Sequence, residues 1–310
     1  MGVIDIKKIA KTEQLFAPGH RACAGCGATI IIRQVLSVAG KDTVVGFATG
    51  CMEVVSTIFP YTAWEVPFLH VAFENVAAAI SGVETAYRAL KKKGKIKKKI
   101  NFIAFGGDGG TYDIGLQALS GAMERGHDML YICYDNGAYM NTGIQRSSAT
   151  PFGAHTTTSP AGKKIPGKMQ WRKDLTEIIA AHGVPYVAQA SPAYYQDLMQ
   201  KVDKALSIEG PAFIDVLSPC PLGWYYPTKD TIKVAKLAVE TKYWPLYEVE
   251  NGVHRVTVKP RKFKPVEDWL KMQGRFRHLF KEENKWMIEH IQKEVDRRWE
   301  RLLKLEEAGL

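Results

Sequence analysis

Short apolar runs alternate with helix-like stretches over the first two thirds of the chain, and this alternation restricts the fold more than any other feature. "DTVVGFA" (42–48), "INFIAF" (100–105), "MLYICY" (129–134), "PYVAQA" (185–190) and "PAFIDVL" (211–217) have the length and β-branched content of buried strands. Between them lie a helical pattern at 74–93 and others at about 113–125, 172–182 and 193–207. Strands that alternate with helices are joined by right-handed crossovers. They therefore form a mostly parallel sheet with helices on both faces, an α/β architecture that binds ligands beyond the carboxyl ends of its strands.

At one such end the sequence reads "FIAFGGDGGTYDIGLQ", four glycines around the single carboxylate of Asp108. A dinucleotide fingerprint starting at Gly107 would need glycine where Tyr112 stands, and no G-K-[ST] ending follows. What remains is a turn whose amides no side chain covers and an acid able to hold a hard cation, which prefers carboxylate, amide and carbonyl oxygens. A diphosphate bridged by Mg²⁺ matches all of these features. The next strand runs into "YDNGAYMNTG", where Asn136 follows Asp108 by 28 residues, about one helix, one strand and their turns. Asp108 and Asn136 can thus reach one cation from neighbouring strand ends.

Five cysteines form a second constellation. Cys23 and Cys26 make "CAGC", Cys51 lies in "ATGCMEV", Cys220 in "LSPCP", and Cys133 sits within the strand "YICYDN" as a core thiol. A thioredoxin-type pair would leave Cys51 and Cys220 unused, and a zinc ribbon would want a second close pair. A cubane iron–sulfur cluster asks only that four thiolates converge, and Cys51 and Cys220 both follow strand ends. Spacing leaves both the cluster and zinc open.

Charge and the remaining segments narrow the class. The 310 residues, 46% hydrophobic and 24% charged, can bury a full core. No run approaches the roughly 18 apolar residues of a membrane span. "MGVIDIKKIA" lacks the apolar core of a secretory signal, so a cytoplasmic protein is expected. The net charge of +10 points to acidic partners, although part of it is the run "KKKGKIKKK" at 91–99, which reads as a solvated connection. The Gly-, Pro- and Ser/Thr-rich stretch 142–170 reads as a functional loop. A first domain over 1–220 carries both constellations. From 221 to 310 the chain is a Pro- and aromatic-rich extension ending in an amphipathic helix, with Ile288, Ile291, Val295, Trp299 and Leu302 on one face, read as a packing or subunit-contact arm.

"GHRACAGCGA", "ATGCMEVVSTIFPYTAWEVPF", "AFENVAAAISGVETAYRAL", "FGGDGGTYDIGLQALSG" and "YDNGAYMNTGIQRSSATP" resemble the β subunits of pyruvate:ferredoxin oxidoreductases, or pyruvate synthases, of the 2-oxoacid:ferredoxin oxidoreductase family. The likeness continues through "LAVETKYWPLYEVENGVHRVT" to "QGRFR" and so covers nearly the whole chain. The resemblance implies the thiamine-diphosphate-binding fold with a C-terminal helical arm. It also implies three cofactors: thiamine diphosphate, Mg²⁺ and one [4Fe–4S] cluster. Carried over by residue, Cys23, Cys26, Cys51 and Cys220 match the cluster ligands; Asp108, Asn136 and the carbonyl of Ala138 match the Mg²⁺ ligands; and Cys51, Gly107, Gly109, Gly110 and Asn141 match cofactor contacts. The implied reaction is oxidative decarboxylation of pyruvate with coenzyme A to acetyl-CoA and CO₂, with electrons leaving through the cluster to ferredoxin. The implied partners are α, γ and δ-type subunits; no nucleic-acid or membrane partner is implied.

The sequence departs from the pattern at Ala28, where some members place a glutamate that meets the cofactor; Glu53 and Glu65 are the candidates to replace it. The glutamate that activates thiamine is expected on the α subunit. His20, His70 and the other histidines show no ligand spacing, and Ile144 either touches substrate or only packs. 2-Oxoisovalerate or oxalate could replace pyruvate. A thiamine-dependent decarboxylase without a redox role would leave the cysteines idle, and a zinc-bearing, nucleic-acid-binding module would not use Asp108 and Asn136.

Overall fold

The computed structural model describes residues 9–310, so most of the N-terminal stretch read as lacking an apolar leader core lies outside the described residues. Eight strands form one sheet in the order β2-β1-β3-β4-β6-β5-β7-β8. The five strands read from the sequence appear as β1 (Thr43–Ala48), β3 (Asn101–Gly107), β4 (Leu130–Asp135), β5 (Tyr186–Ala190) and β6 (Ala212–Leu217), all mutually parallel. An edge strand, β2 (Phe68–Val71), adds to β1, also in parallel.

Alternation along the strands gives the sheet two buried faces. Ile103, Phe105, Leu130, Ile132, Ile214 and Val216 pack on one side, under α1 (Gly27–Ala39) and α6 (Tyr195–Ser207). Phe102, Ala104, Tyr131, Cys133 and Phe213 pack on the other, under α3 (Val76–Lys92), α4 (Leu116–Glu124) and α5 (Leu175–Ala180). Successive side chains of a strand point to opposite faces, so a run that is apolar at every position can only lie between two layers of helices. Between α1 and α3, the short α2 (Cys51–Ser56) starts three residues after β1 ends.

The chain beyond 221 contributes more than an arm. After the short α7 (Pro221–Trp224) and α8 (Thr231–Glu240), β7 (Leu246–Glu250) pairs antiparallel with β5, and β8 (Val253–Val258) with β7. These are followed by α9 (Val266–Lys271) and the long α10 (Lys285–Ala308). Met287, Ile291, Val295, Trp299 and Leu302 form the buried stripe of α10, with Met287 taking the place expected of Ile288. Trp299 packs edge-on against Phe263 inside the chain, whereas Trp286 is half exposed. No helix among the described residues is long and apolar enough to cross a membrane. The lysines of the run at 91–99 are all exposed, at the end of α3 and in the connection to β3.

Candidate active site

The carboxyl ends of β1, β3 and β4 open into a pocket of about 140 Å³. Its lining includes Thr49, Gly50 and Cys51 after β1, Gly107, Gly109 and Gly110 after β3, and Asn136, Ala138 and Asn141 after β4. The structure thus brings together at one mouth all the cofactor-contact residues expected from the sequence except Asp108, which lies just beneath. A second crevice, lined by residues including Trp171, Arg172, Trp244, Arg298 and Arg301, lies against α10 and contains none of the turn's glycines and none of the cysteines.

The glycine turn is shaped by close approach. A Cβ on Gly109 would come within 2.4 Å of the Tyr139 ring, and one on Gly110 within 3.0 Å of the Phe73 carbonyl. The chain leaves Asp108 as a π-helical turn, Gly109–Ile114, which runs into α4. Gly109 and Gly110, the first two residues of that turn, line the pocket, and the free amides of a helix start suit an anionic group.

Asp108 is wholly buried and held from two sides. Its Oδ1 accepts the backbone N–H of Asn136 at 3.2 Å and its Oδ2 accepts the Ser147 hydroxyl at 2.5 Å. Burial first, and then the nearby Asp135, raise its pKa well above the usual carboxylate range. The end of the Asn136 side chain lies 2.9 Å from Asp108 Oδ1 and 2.8 Å from the Ala138 carbonyl. With its nitrogen turned inward, Asn136 donates to both. With its oxygen inward, three acceptor oxygens come together, a set that a bound cation would satisfy. This acceptor set fits a hard divalent ion.

The turn carrying these ligands is braced from behind. Asp135 accepts the Gly137 amide at 2.9 Å and pairs with Arg172 at 2.5 Å, and Arg172 also bonds the Tyr112 hydroxyl at 2.5 Å. Tyr112 joins Asp135 and Asp215 in the same buried network. The Trp224 indole donates to the Asn136 carbonyl at 2.6 Å.

The four cysteines expected to act together lie within electrostatic reach of one another. Burial chiefly, and then Cys220, Cys26 and Cys23, push the Cys51 thiol up to about 12. Cys220 is raised to about 11 by burial, with Cys26 and Cys23 adding to it and the Gly223 amide opposing. Thiols brought together in this way offer the soft ligands that an iron–sulfur cluster or zinc takes. Among the described residues, no group of three or more His, Cys, Asp or Glu side chains is drawn tightly enough to hold a metal as it stands. Cys133 is fully buried in β4, and no disulfide joins any of the five cysteines.

The other sequence candidates fall outside the pocket. Glu53 is buried on α2, accepts the Thr57 hydroxyl at 2.8 Å and stands 3.5 Å from His70; Glu65 is exposed. Ala28 lies in the first turn of α1 and packs in the core, and His20 stacks on Phe16 at 5.0 Å. Ile144 does not line the pocket. It sits at φ 64°, unusual for a β-branched residue, with its carbonyl held by the Thr157 amide at 3.0 Å, and it helps close the loop that carries Asn141. Sequence reasoning did not single out Ser147, Asp135 or Trp224. Asp135 adjoins a recognised ligand, but Ser147 and Trp224 meet their partners across 39 and 88 residues and carry no local signal.

Residues 48–216 match the family described as "Thiamine pyrophosphate enzyme, C-terminal TPP binding domain". The chain is 64% identical over 286 residues, 92% of its length and 95% of the relative's, to "Pyruvate synthase subunit PorB" of Methanocaldococcus jannaschii. It is 49% identical over 298 residues, 96% of its length and 94% of the relative's, to "Ketoisovalerate oxidoreductase subunit VorB" of Pyrococcus abyssi. Among solved structures, the fold is similar to that of 2-oxoglutarate:ferredoxin oxidoreductase from Magnetococcus marinus, with a TM-score of 0.53, 19% identity, and coverage of 73% of this chain and 78% of that one.

Proposed function

Because this chain belongs to the pyruvate synthase PorB family of 2-oxoacid:ferredoxin oxidoreductase subunits, we propose that it holds the diphosphate half of a thiamine diphosphate site and the cluster beside it, for oxidative decarboxylation of pyruvate. The carrying observation is one of placement: Cys51 lines the same pocket as the glycine turn, Asn136 and Ala138. Neither a decarboxylase without redox chemistry nor a zinc module needs a cysteine there.

In this reading Asp108, Asn136 and the Ala138 carbonyl hold Mg²⁺, and Gly107, Gly109, Gly110 and Asn141 receive the diphosphate. Cys23, Cys26, Cys51 and Cys220 hold one [4Fe–4S] cluster. When bound, thiamine diphosphate would supply the electron sink for decarboxylation of the 2-oxo acid and the cluster would supply one-electron transfer. The chain's own part is to bind and orient. The buried Asp108 would supply negative charge to the cation, Ser147 and Asn136 fix its carboxylate, and the glycine turn would let the backbone approach the diphosphate closely.

Among the described residues no carboxylate lines the pocket, which accords with the reading that the group activating thiamine sits on an α-type partner. Residues 1–220 carry the cofactor contacts. Residues 221–310 complete the sheet and present Trp286 outward, towards α, γ and δ-type subunits. Five free cysteines accord with a cytoplasmic setting.

An anaerobic panel tests the reading. The assembled complex is given pyruvate, 2-oxoisovalerate or oxalate with coenzyme A, and reduction of ferredoxin or a viologen is followed; pyruvate should turn over fastest, and the isolated chain should not turn over. Fastest turnover of 2-oxoisovalerate would favour the second reading, supported by the similarity to the Pyrococcus abyssi ketoisovalerate subunit. CO₂ release without acceptor reduction would leave a non-redox decarboxylase.

A further inference from the structure

The four-residue helix α7 (Pro221–Trp224) is capped at its start by Cys220 and ends at Trp224, and it touches both constellations. At its start the Gly223 amide donates to Cys220 Sγ at 3.3 Å and the Trp224 amide to the Cys220 carbonyl at 2.9 Å. At its end the Trp224 indole N–H donates to the Asn136 carbonyl at 2.6 Å, with the ring only 1% exposed. A second contact runs the same way. A Cβ on Gly223 would overlap Met140 Sδ at 2.2 Å, so the helix backbone lies directly on a residue that lines the cofactor pocket.

The ring has little freedom to disengage. Arg275 lies over it at 4.0 Å and Trp269 meets it edge-on at 6.0 Å. The Arg275 guanidinium also stands 3.0 Å from where a Cβ on Gly137 would be, so the same group backs both Trp224 and the ligand turn. A shift of the Cys220 segment therefore moves the donor that fixes the Asn136 carbonyl, and a shift of the ligand turn moves Cys220.

We propose that Trp224 is a positioning residue that couples the Cys220 side of the cysteine quartet to the Asn136–Ala138 turn, so that filling either site strengthens binding at the other. This rests on the cofactor assignments above. Coupling of this kind is reciprocal by thermodynamic necessity, and it requires only that the two sites share an element whose position each one biases. The proposed activity requires that both groups be present; the coupling adds that the chain binds them as a pair.

The test is a double-mutant cycle on the assembled complex, prepared without oxygen, reading the dissociation constant of Mg²⁺–thiamine diphosphate by titration calorimetry. Cys220→Ser should weaken that affinity about three- to tenfold, the worth of one buried hydrogen bond. In a Trp224→Phe background, which keeps the ring under Arg275 but loses the N–H, the same change should have no further effect. Trp269→Phe serves as the control, because its indole nitrogen has no hydrogen-bond partner among the described residues, and the Cys220→Ser effect should persist in it. Additive effects of Cys220→Ser and Trp224→Phe would overturn the proposal. If Trp224→Phe does not fold, the wild-type complex decides: equal affinities before and after a chelator strips the cluster overturn the coupling, and a three- to tenfold loss supports it. A wild-type complex that binds no thiamine diphosphate, or carries zinc at the four cysteines, would instead defeat the cofactor assignment and the coupling with it.

Discussion

The Gly27 amide donates to the Pro219 carbonyl at 3.1 Å, which sets the residue after Cys26 against the residue before Cys220 although nearly two hundred positions separate them. The approach leaves no room for a side chain: a Cβ on Gly27 would stand 2.8 Å from the Pro219 oxygen and 2.9 Å from both its nitrogen and its Cδ. These are backbone and ring atoms that cannot swing aside. Gly27→Ala is therefore expected to pry the two cysteine segments apart, costing about 1–3 kcal/mol of stability and lowering iron content. Iron analysis of anaerobically purified protein checks this, and a full complement of iron in the variant would contradict it.

Cysteine position should separate cluster ligands from packing. Cys220 stands with Cys26 and Cys51 in the quartet, while Cys133 is fully buried in the centre of β4. Cys220→Ser should lower iron and slow electron transfer, whereas Cys133→Ser should leave iron content unchanged. The visible absorbance of the two variants, read beside their iron content, distinguishes them, and equal losses would reject the sorting.

The uneven legibility of the sequence has physical causes. The parallel strands were readable because both faces of each are buried, which makes continuous apolar runs. Helix α1 was not, since "ATIII" has the β-branched content of a strand and becomes helical by packing on α6. The antiparallel hairpin β7–β8 carried a signal that went unused. Asn251 and Gly252, between two alternating runs, take φ of 51° and 83°, the paired positive angles of a tight hairpin turn. Asp108 and Asn136 were legible because the cation site draws on two adjacent strand ends. Ser147 and Trp224 act at the same place but arrive from a long loop and a four-residue helix, where no periodicity announces them.

Ser147 offers a graded test of the cation site. Its hydroxyl holds Asp108 Oδ2 at 2.5 Å, and a hydrogen bond to a charged group is worth about 1.5–3 kcal/mol. Ser147→Ala should weaken Mg²⁺-dependent thiamine diphosphate binding at least roughly tenfold. Asp108→Ala should abolish it, because the diphosphate charge is then left unbridged. Calorimetric titration with the cofactor at fixed Mg²⁺ measures both, and unchanged affinity in Asp108→Ala would remove the aspartate from the site.

Lys168 gives the fold a pH dependence of known sign. Its side chain is 1% exposed and its Nζ donates to the Thr150 carbonyl at 2.5 Å. Burial, with Arg146 and Arg172 nearby, lowers its pKa from 10.5 to about 7. The folded protein therefore releases this proton near pH 7, whereas the unfolded chain keeps it to about pH 10.5. Between these values the unfolded state binds more protons, so stability rises with pH by up to about 1.4 kcal/mol per unit. Below about pH 7 both states carry the charge and the full cost of burying it remains. Lys168→Met removes the titrating group, so wild type should gain stability relative to the variant from pH 7 towards pH 10. Denaturant melts of both proteins at pH 7, 8.5 and 10 measure the difference, and a constant gap between them would mean that Lys168 is buried without its proton being displaced.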